Sequence, residues 1–219
     1  MPHKPTHPKP LSIHESEESA LRHFKKVDPR LYAASLPFTG SVAAHVHPKR
    51  TNRALFESLV SSIVSQQLST KAAQTIYARL RTALGGIVTA HALRTAEPEV
   101  LRDAGLSAAK LRALTELAEA VDTGHLNLLA LKRVSPEEAV RELSALRGIG
   151  PWTAEMFLIF ALGATDIFSP GDLALARSLE KLHGLPKNTS RKDLARIAAI
   201  WSPYRSYASL VLWKLYDPE

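Results

Sequence analysis

Apolar residues recur at intervals of three and four along most of the chain, and this spacing predicts helices rather than strands. The clearest case is the run TNRALFESLVSSIVS, residues 51–65, in which Leu55, Leu59 and Ile63 fall on one helical face. Alternating apolar and polar runs, which are typical of strands, are absent from the sequence. The pattern predicts an all-α fold of about ten short helices joined by short loops.

The predicted helix starts are marked by residues that cap helices. A serine hydroxyl before a helical run can accept a hydrogen bond from an N–H of the first turn, which has no partner inside the helix. The predicted caps are Ser16, either Ser69 or Thr70, Ser107 and Ser135. Residues 36–51, LPFTGSVAAHVHPKRT, form the least regular interior segment and are expected to be a long loop.

Composition narrows the class of protein. The chain has 219 residues, of which 45% are apolar and 22% charged, which is ordinary for a globular protein. It has no cysteine, so disulfides, thiolate catalysis, cysteine-bound zinc and cysteine-bound iron–sulfur clusters are excluded. The net charge of +7 favours a polyanionic partner, nucleic acid first, with a merely solvated basic surface as the alternative.

The N-terminal segment has a different composition. Residues 1–15 contain four prolines and three histidines among few apolar groups, which predicts a disordered, basic lead-in. The segment lacks the apolar core of a signal peptide, and no apolar run reaches the roughly 18 residues of a membrane helix. We therefore expect a soluble intracellular protein, cytoplasmic or, in a eukaryote, nuclear.

The most informative stretch is LRGIGPWTAE, residues 146–155. Gly148 and Gly150 can adopt positive φ and let another backbone come close, and Pro151 suits the first turn of a helix. A glycine turn followed by a helix N-terminus can hold a phosphate through backbone N–H groups. The alternative is an ordinary connection between two helices with a glycine after the first.

A second motif follows one apolar helix later. The sequence IFSPGD ends in Asp172, which opens the next predicted helix and by itself would be only a cap. A glycine hairpin, one apolar helix and then Pro-x-Asp together resemble the helix-hairpin-helix DNA glycosylases. The segments WSPYRSYASLVLW and SIVSQQLSTKAA resemble the 3-methyladenine DNA glycosylase II branch of that superfamily, and the resemblance covers residues 50–215.

The resemblance implies a fold and an activity. It implies a glycosylase domain over residues 16–219 with two helical subdomains flanking a cleft, and no N-terminal β domain. One subdomain would span residues 52–165, and the other would combine the N-terminal segment with residues 172–216. The implied enzyme is a monomer that acts on double-stranded DNA in base excision repair. It flips out alkylated bases such as 3-methyladenine and 7-methylguanine and hydrolyses the N-glycosidic bond, leaving an abasic site.

The resemblance also assigns the reaction. Asp172 is expected to stabilise the oxocarbenium-like sugar, and no cofactor or iron–sulfur cluster is expected, although a monovalent cation at the hairpin carbonyls is left open. Trp152 stands where bifunctional members have a nucleophilic lysine, which implies an enzyme without lyase activity. Trp152, Trp213 and Met156 are the expected walls of the base pocket, since an electron-rich ring attracts a cationic base. A core position is the alternative for Trp152 and Met156.

The remaining residues are expected to contact DNA. The hairpin residues are Gly148, Ile149, Gly150 and Thr153. The residues that would fill the gap left by the flipped base are Gln66, Gln67 and Leu68, with Gln67 the best match. Candidate phosphate contacts are Ser69 with the neighbouring Thr70, Lys71, Ser107 and Lys110. Plain capping is the alternative for Ser107.

Some assignments stay open at this point. Asp166 is a rival catalytic carboxylate that lacks the Pro-x-Asp context. Arg205 can bridge a carboxylate, touch DNA or be structural. Gly171 stands where some relatives have a second acid, which leaves Asp172 alone. A glycosylase for another class of lesion and a non-catalytic DNA-binding module are the rival functions.

Overall fold

The computed structural model describes residue 13 and residues 16–44 and 46–216, and within these ranges it contains helices and no strand. The all-α fold predicted from the sequence is therefore confirmed. In chain order the helices are α1 (Glu17–Val27), α2 (Pro29–Ser35), α3 (Asn52–Ser65), α4 (Thr70–Ala83), α5 (Ala90–Thr95), α6 (Pro98–Asp103), α7 (Ala108–Asp122), α8 (Pro136–Ser144), α9 (Pro151–Met156), α10 (Leu173–His183), α11 (Arg191–Ala198) and α12 (Arg205–Leu215).

The chain folds into two compact units. The central unit is Pro48–Leu162, and the terminal unit combines the described residues up to His47 with those from Gly163 onward. The sequence had placed the two parts at residues 52–165 and at the N-terminal segment with 172–216. The cleft expected between them stays a prediction.

The central unit is organised around α3. Leu55, Leu59 and Ile63, the residues predicted to share one face, are at most 1% exposed. Helix α3 packs against α4, α7 and the segment that follows α9. That segment, Phe157–Leu162, is a π-helical turn that continues α9, whereas the sequence predicted one uninterrupted helix there.

The terminal unit has an aromatic core. Trp201, Tyr207 and Phe24 are fully buried, and the indole N–H of Trp201 donates to Asp28 Oδ2 at 2.8 Å. His183 Nε2 lies 3.1 Å from the same carboxylate oxygen. Because Asp28 is only 4% exposed, the indole N–H of Trp201 and the backbone N–H of Leu31 replace the water that its carboxylate loses on burial.

Most predicted caps are present. Ser69, Ser107 and Ser135 each accept a hydrogen bond from the backbone N–H three residues later, at 3.2–3.3 Å. Ser16 is the exception, because its hydroxyl donates to the Ile13 carbonyl at 2.8 Å and caps nothing.

Of the predicted lead-in, residues 1–15, only Ile13 is among the described residues. Ile13 is fully buried. The expected loop at residues 36–51 contains one short 3₁₀ turn, Leu36–Phe38, and its His45 also lies outside the described residues. No described helix has the length and apolar character needed to cross a membrane.

Candidate functional site

The two hairpin positions, 148 and 150, differ in why each of them holds a glycine. Gly148 has a φ of +78°, and a Cβ at this position would lie 2.7 Å from the Cβ of Ala113 in α7. Gly150 has a φ of −81°, so the positive φ expected there is wrong, and nothing lies within 4 Å of a Cβ added to it. The protein's own fold therefore requires glycine at 148, whereas Gly150 leaves open space beside the first residue of α9.

The residues around these glycines differ in burial: two are buried, and one, a tryptophan, is half-exposed. Ile149 and Thr153 are 2% and 6% exposed, and they fix the hairpin to the central unit. Trp152 is 50% exposed, which excludes the core position considered for it. Met156, the last residue of α9, is half-buried.

An open depression of about 810 Å³ lies on the central unit beside the hairpin. The predicted site residues that line it are Gln66, Gln67, Ser107, Lys110, Gly148, Trp152 and Thr153. The predicted residues of the central unit outside its lining are Leu68, Ser69, Lys71, Ile149, Gly150 and Met156. Three separate sequence segments that were assigned to DNA contact thus meet on one surface.

Two cations that sequence reasoning missed also line this depression. Arg112 and Arg147 join Lys110 there, and no carboxylate is among the lining residues. Arg147 Nε lies 3.5 Å from a carboxylate oxygen of Glu116, a residue outside the lining. Arg147 directly precedes the first hairpin glycine, and this position was the signal that could have identified it.

The turn between α3 and α4 carries the predicted wedge residues. Gln67 is exposed and has a φ of +57°, a conformation that residues other than glycine rarely adopt. Gln66 is half-buried, and its side-chain amide donates to the Gly148 carbonyl at 2.9 Å. Leu68 is 39% exposed and lines a different depression, beside Thr70 and Tyr77. The structure therefore separates the three candidates, and only Gln67 lines the depression beside the hairpin with an exposed side chain.

The predicted phosphate contacts also differ from one another. Lys71 is exposed at the first turn of α4. The hydroxyls of Ser69 and Ser107 cap α4 and α7, as the plain capping alternative had it for Ser107. The ammonium of Lys110 donates to two backbone carbonyls, those of Val64 at 2.7 Å and Gln66 at 2.8 Å.

Asp172 lies in the terminal unit, at the start of α10. Its Oδ1 accepts from the backbone N–H of Leu175 at 3.0 Å and from the indole N–H of Trp213 at 3.2 Å. Both Asp172 and Trp213 are half-buried. The structure thus brings together two residues that the sequence assigned to the site 41 positions apart. A carboxylate held by a helix cap and an indole has a fixed orientation, which is what electrostatic stabilisation of a developing cation needs.

Asp166 has a different environment from Asp172. Arg205 donates to it from Nε at 2.7 Å and from a terminal nitrogen at 3.1 Å, and Ser202 donates from its hydroxyl at 2.7 Å. Burial alone would raise the pKa of Asp166, but the hydrogen bonds from Arg205 and Ser202 outweigh it and hold the pKa below its usual value. Arg205 thus bridges a carboxylate, which is one of the three roles left open for it.

Gly171 faces a guanidinium. A Cβ built on Gly171 would lie 3.7 Å from the Cζ of Arg191, the first residue of α11, at ordinary van der Waals distance. A basic group therefore stands where an acidic side chain at residue 171 would point. Among the described residues no cluster of three or more His, Asp or Glu side chains could hold a metal ion.

Comparison with known proteins identifies the family of the chain. Residues 60–203 match the sequence profile of the HhH-GPD superfamily base excision DNA repair proteins. The chain is 34% identical over 173 residues to DNA-3-methyladenine glycosylase 1 of Schizosaccharomyces pombe, covering 75% of this chain and 76% of that protein. It is 31% identical over 163 residues to DNA-3-methyladenine glycosylase 2 of Escherichia coli, of which it spans 55%.

Solved structures give the same result. A DNA-3-methyladenine glycosidase from Bacillus halodurans has a TM-score of 0.78 and 36% identity, covering 93% of this chain and 90% of that one. The Schizosaccharomyces pombe 3-methyladenine DNA glycosylase in complex with abasic DNA has a TM-score of 0.68 and 31% identity, covering 90% of this chain and 95% of that one. The chain belongs to the HhH-GPD superfamily of base excision DNA repair proteins.

Proposed function

We propose that this protein is a DNA glycosylase that hydrolyses the N-glycosidic bond of alkylated bases in duplex DNA, without lyase activity and without a cofactor. The observation that carries the proposal is the fixed carboxylate of Asp172, held through Oδ1 by Leu175 and Trp213. A carboxylate in this setting can stabilise a cationic sugar without moving during the reaction.

The chemistry suits a base alkylated at a ring nitrogen. Such a base is cationic, so it departs with the electron pair of the C1′–N bond as a neutral molecule and needs no strong acid. Water then adds to C1′ of the sugar cation and loses a proton, leaving an abasic site. The carboxylate of Asp172 lowers the energy of the sugar cation between these two events.

Duplex DNA is supported as the substrate by the central unit. Arg112 and Arg147 line a depression without carboxylates, beside a hairpin where Gly150 leaves room for a close approach. The half-exposed side chain of Trp152 can stack on a base, and the attraction of a tryptophan ring for a cation is about 0.5–2 kcal/mol. Gln67 is the proposed plug for the gap in the base stack.

The absence of lyase activity rests on residue 152. Strand cleavage through a Schiff base needs an amine nucleophile, and this hairpin position holds a tryptophan. Lys110 lines the same depression, but its ammonium donates to the carbonyls of Val64 and Gln66.

The experiment is base release from duplex DNA treated with a methylating agent. We expect free 3-methyladenine and 7-methylguanine, with strand breaks only after hot alkali. Release of oxidised or deaminated bases instead would assign another lesion class. Duplex binding without release of any base would leave a DNA-binding module, and strand breaks before alkali would contradict the monofunctional proposal.

A further inference from the structure

Lys110 connects the start of α7 to the end of α3. Its ammonium donates to the carbonyls of Val64 and Gln66, at 2.7 and 2.8 Å. These carbonyls belong to the last turn of α3 and to the residue that follows it, where a helix leaves carbonyl groups without intrahelical partners. A cation is also favoured there by the helix dipole. Lys110 is therefore an interhelical clamp on the C-terminal end of α3.

The clamped segment leads directly into an unfavourable backbone conformation. Gln67, the next residue, has a φ of +57°, in the left-handed region that is unfavourable for a residue with a side chain. Such a conformation persists only where the surroundings fix it. Lys110 supplies that fixation on one side of the turn.

The hairpin supplies the fixation on the other side. The side-chain amide of Gln66 donates to the Gly148 carbonyl at 2.9 Å. Gly148 in turn lies so close to Ala113 that a Cβ on it would be 2.7 Å from the Ala113 Cβ. Ala113 follows Lys110 by three residues in α7, so one helix supports both the turn and the hairpin.

We propose that Lys110 is a positioning residue that holds the Gln67 turn in fixed register with the Gly148 hairpin. Gln67 then enters the base stack at a set distance from the strand that the hairpin grips. This role replaces the phosphate contact expected from the sequence, and it rests on the proposed function, because it concerns base flipping by the same protein.

The setting of Lys110 supports a positioning role over a phosphate contact. The side chain is half-buried, and burial lowers the pKa of its ammonium, the direction expected for a group withdrawn from water. Two of its three N–H donors are directed to carbonyls rather than to solvent. Lys71, by contrast, is exposed.

The two roles differ in their dependence on salt. A lysine that neutralises a phosphate contributes about 0.9 to the slope of log affinity against log salt, because it releases a counterion. A lysine that orders a turn contributes nothing to that slope, but its loss reduces insertion into the base stack.

The test compares Lys110→Met with the wild type on two readouts. The first is the salt dependence of binding to a duplex carrying a tetrahydrofuran abasic analogue. The second is the fluorescence of a 2-aminopurine placed beside that analogue, which reports insertion of the plug. We expect Lys110→Met to keep the wild-type salt slope, to lose the fluorescence change and to excise alkylated bases about ten- to a hundredfold more slowly.

Three further variants complete the test. Lys110→Arg can still donate to both carbonyls and should restore fluorescence and rate. Lys26→Met removes one exposed positive charge outside the site and should match the wild type in every readout. Gln66→Ala breaks the link to Gly148 and should reproduce the fluorescence loss; it also tests the inference should Lys110→Met fail to fold.

Two results would overturn the inference. The first is a salt slope reduced by about 0.9 in Lys110→Met with an unchanged fluorescence signal, since this is the behaviour of a phosphate contact. The second is wild-type fluorescence and slope in both Lys110→Met and Gln66→Ala. Failure of the proposed function is distinguishable, because it would appear as absence of base release by the wild type.

Discussion

The hairpin region of the central unit and the start of α10 in the terminal unit present functional groups in opposite ways. In the hairpin region the important groups belong to the backbone. The positive φ of Gly148 and its closeness to Ala113 require glycine there, and its carbonyl accepts a hydrogen bond from the side-chain amide of Gln66. At the start of α10 a single side chain, Asp172, is held by two donors. Under the proposed function the first region binds DNA and the second supports bond cleavage, so we expect substitutions to separate the two.

The largest effect is expected from Asp172→Asn. The asparagine carbonyl can still accept from Leu175 and Trp213, so the fold should be kept while the negative charge is lost. We expect the single-turnover rate of alkylbase excision to fall about 10²–10³-fold, the usual consequence of losing one electrostatic stabiliser. The melting temperature and duplex affinity should stay near wild type.

Asp166→Asn is the matched control in the same unit. It removes the charge that pairs with Arg205, so we expect a loss of about 1–3 kcal/mol in the free energy of unfolding. Excision per folded molecule should be retained. A variant that keeps its melting temperature but no longer excises bases would transfer the catalytic role to Asp166.

Substitution of the two hairpin glycines should have smaller effects, which differ between the two positions. Gly148→Ala introduces strain at positive φ and a contact with Ala113, and we expect a destabilisation of about 1–3 kcal/mol. Gly150→Ala should change stability by no more than about 1 kcal/mol and should weaken duplex binding, because its Cβ fills the space left for DNA. Chemical denaturation and binding titrations check both. Equal losses of stability in the two variants would remove the distinction.

Acid should weaken the terminal unit through Asp28. Burial alone would raise the pKa of Asp28, but hydrogen bonds from His183, the Leu31 N–H and Trp201 outweigh it and lower the pKa. The unfolded state then binds the proton more tightly, so the stability from Asp28 is present above about pH 4 and is lost as pH falls through the lowered pKa. Between pH 7 and pH 3 the melting temperature should fall less steeply for Asp28→Asn than for the wild type. Parallel curves would contradict this account.

The smallest effect is expected from Gly171→Asp. The φ of Gly171 is outside the left-handed region, and the new Cβ would meet Arg191 at 3.7 Å, so the carboxylate can pair with the guanidinium. We expect a change within about 0.5 kcal/mol in the free energy of unfolding. A loss well above this value, measured by denaturant titration, would show that residue 171 does not tolerate a side chain.

Local sequence patterns predicted much of the fold. The caps at Ser69, Ser107 and Ser135 and the buried face of α3 depend on residues close in sequence, so spacing alone identified them. The sequence gives no helical pattern for the short helices α2, α5 and α6, because six or seven residues carry too little periodicity. The π-helical turn was missed because its apolar residues also fit an α-helix.

The candidate site was harder to predict than the helices, because it depends on contacts between segments that are distant in sequence. The motifs identified Asp172 and Trp213, but not the hydrogen bond between them. Lys110 was expected to contact a phosphate because residues 105–110 resemble a second turn that grips the DNA backbone, and only the fold shows the carbonyls to which it donates. The ion pair between Asp166 and Arg205 was also not predicted, because its partners lie 39 positions apart in the sequence.

The division between binding and bond cleavage is tested most directly by single-turnover excision of 7-methylguanine at increasing enzyme concentration. This measurement gives a maximal rate and a half-saturating concentration for each variant. Asp172→Asn should lower the maximal rate about 10²–10³-fold and leave half-saturation near the wild-type value. Gly150→Ala should raise half-saturation and leave the maximal rate intact. An Asp172→Asn protein that excises at the wild-type maximal rate would contradict the account.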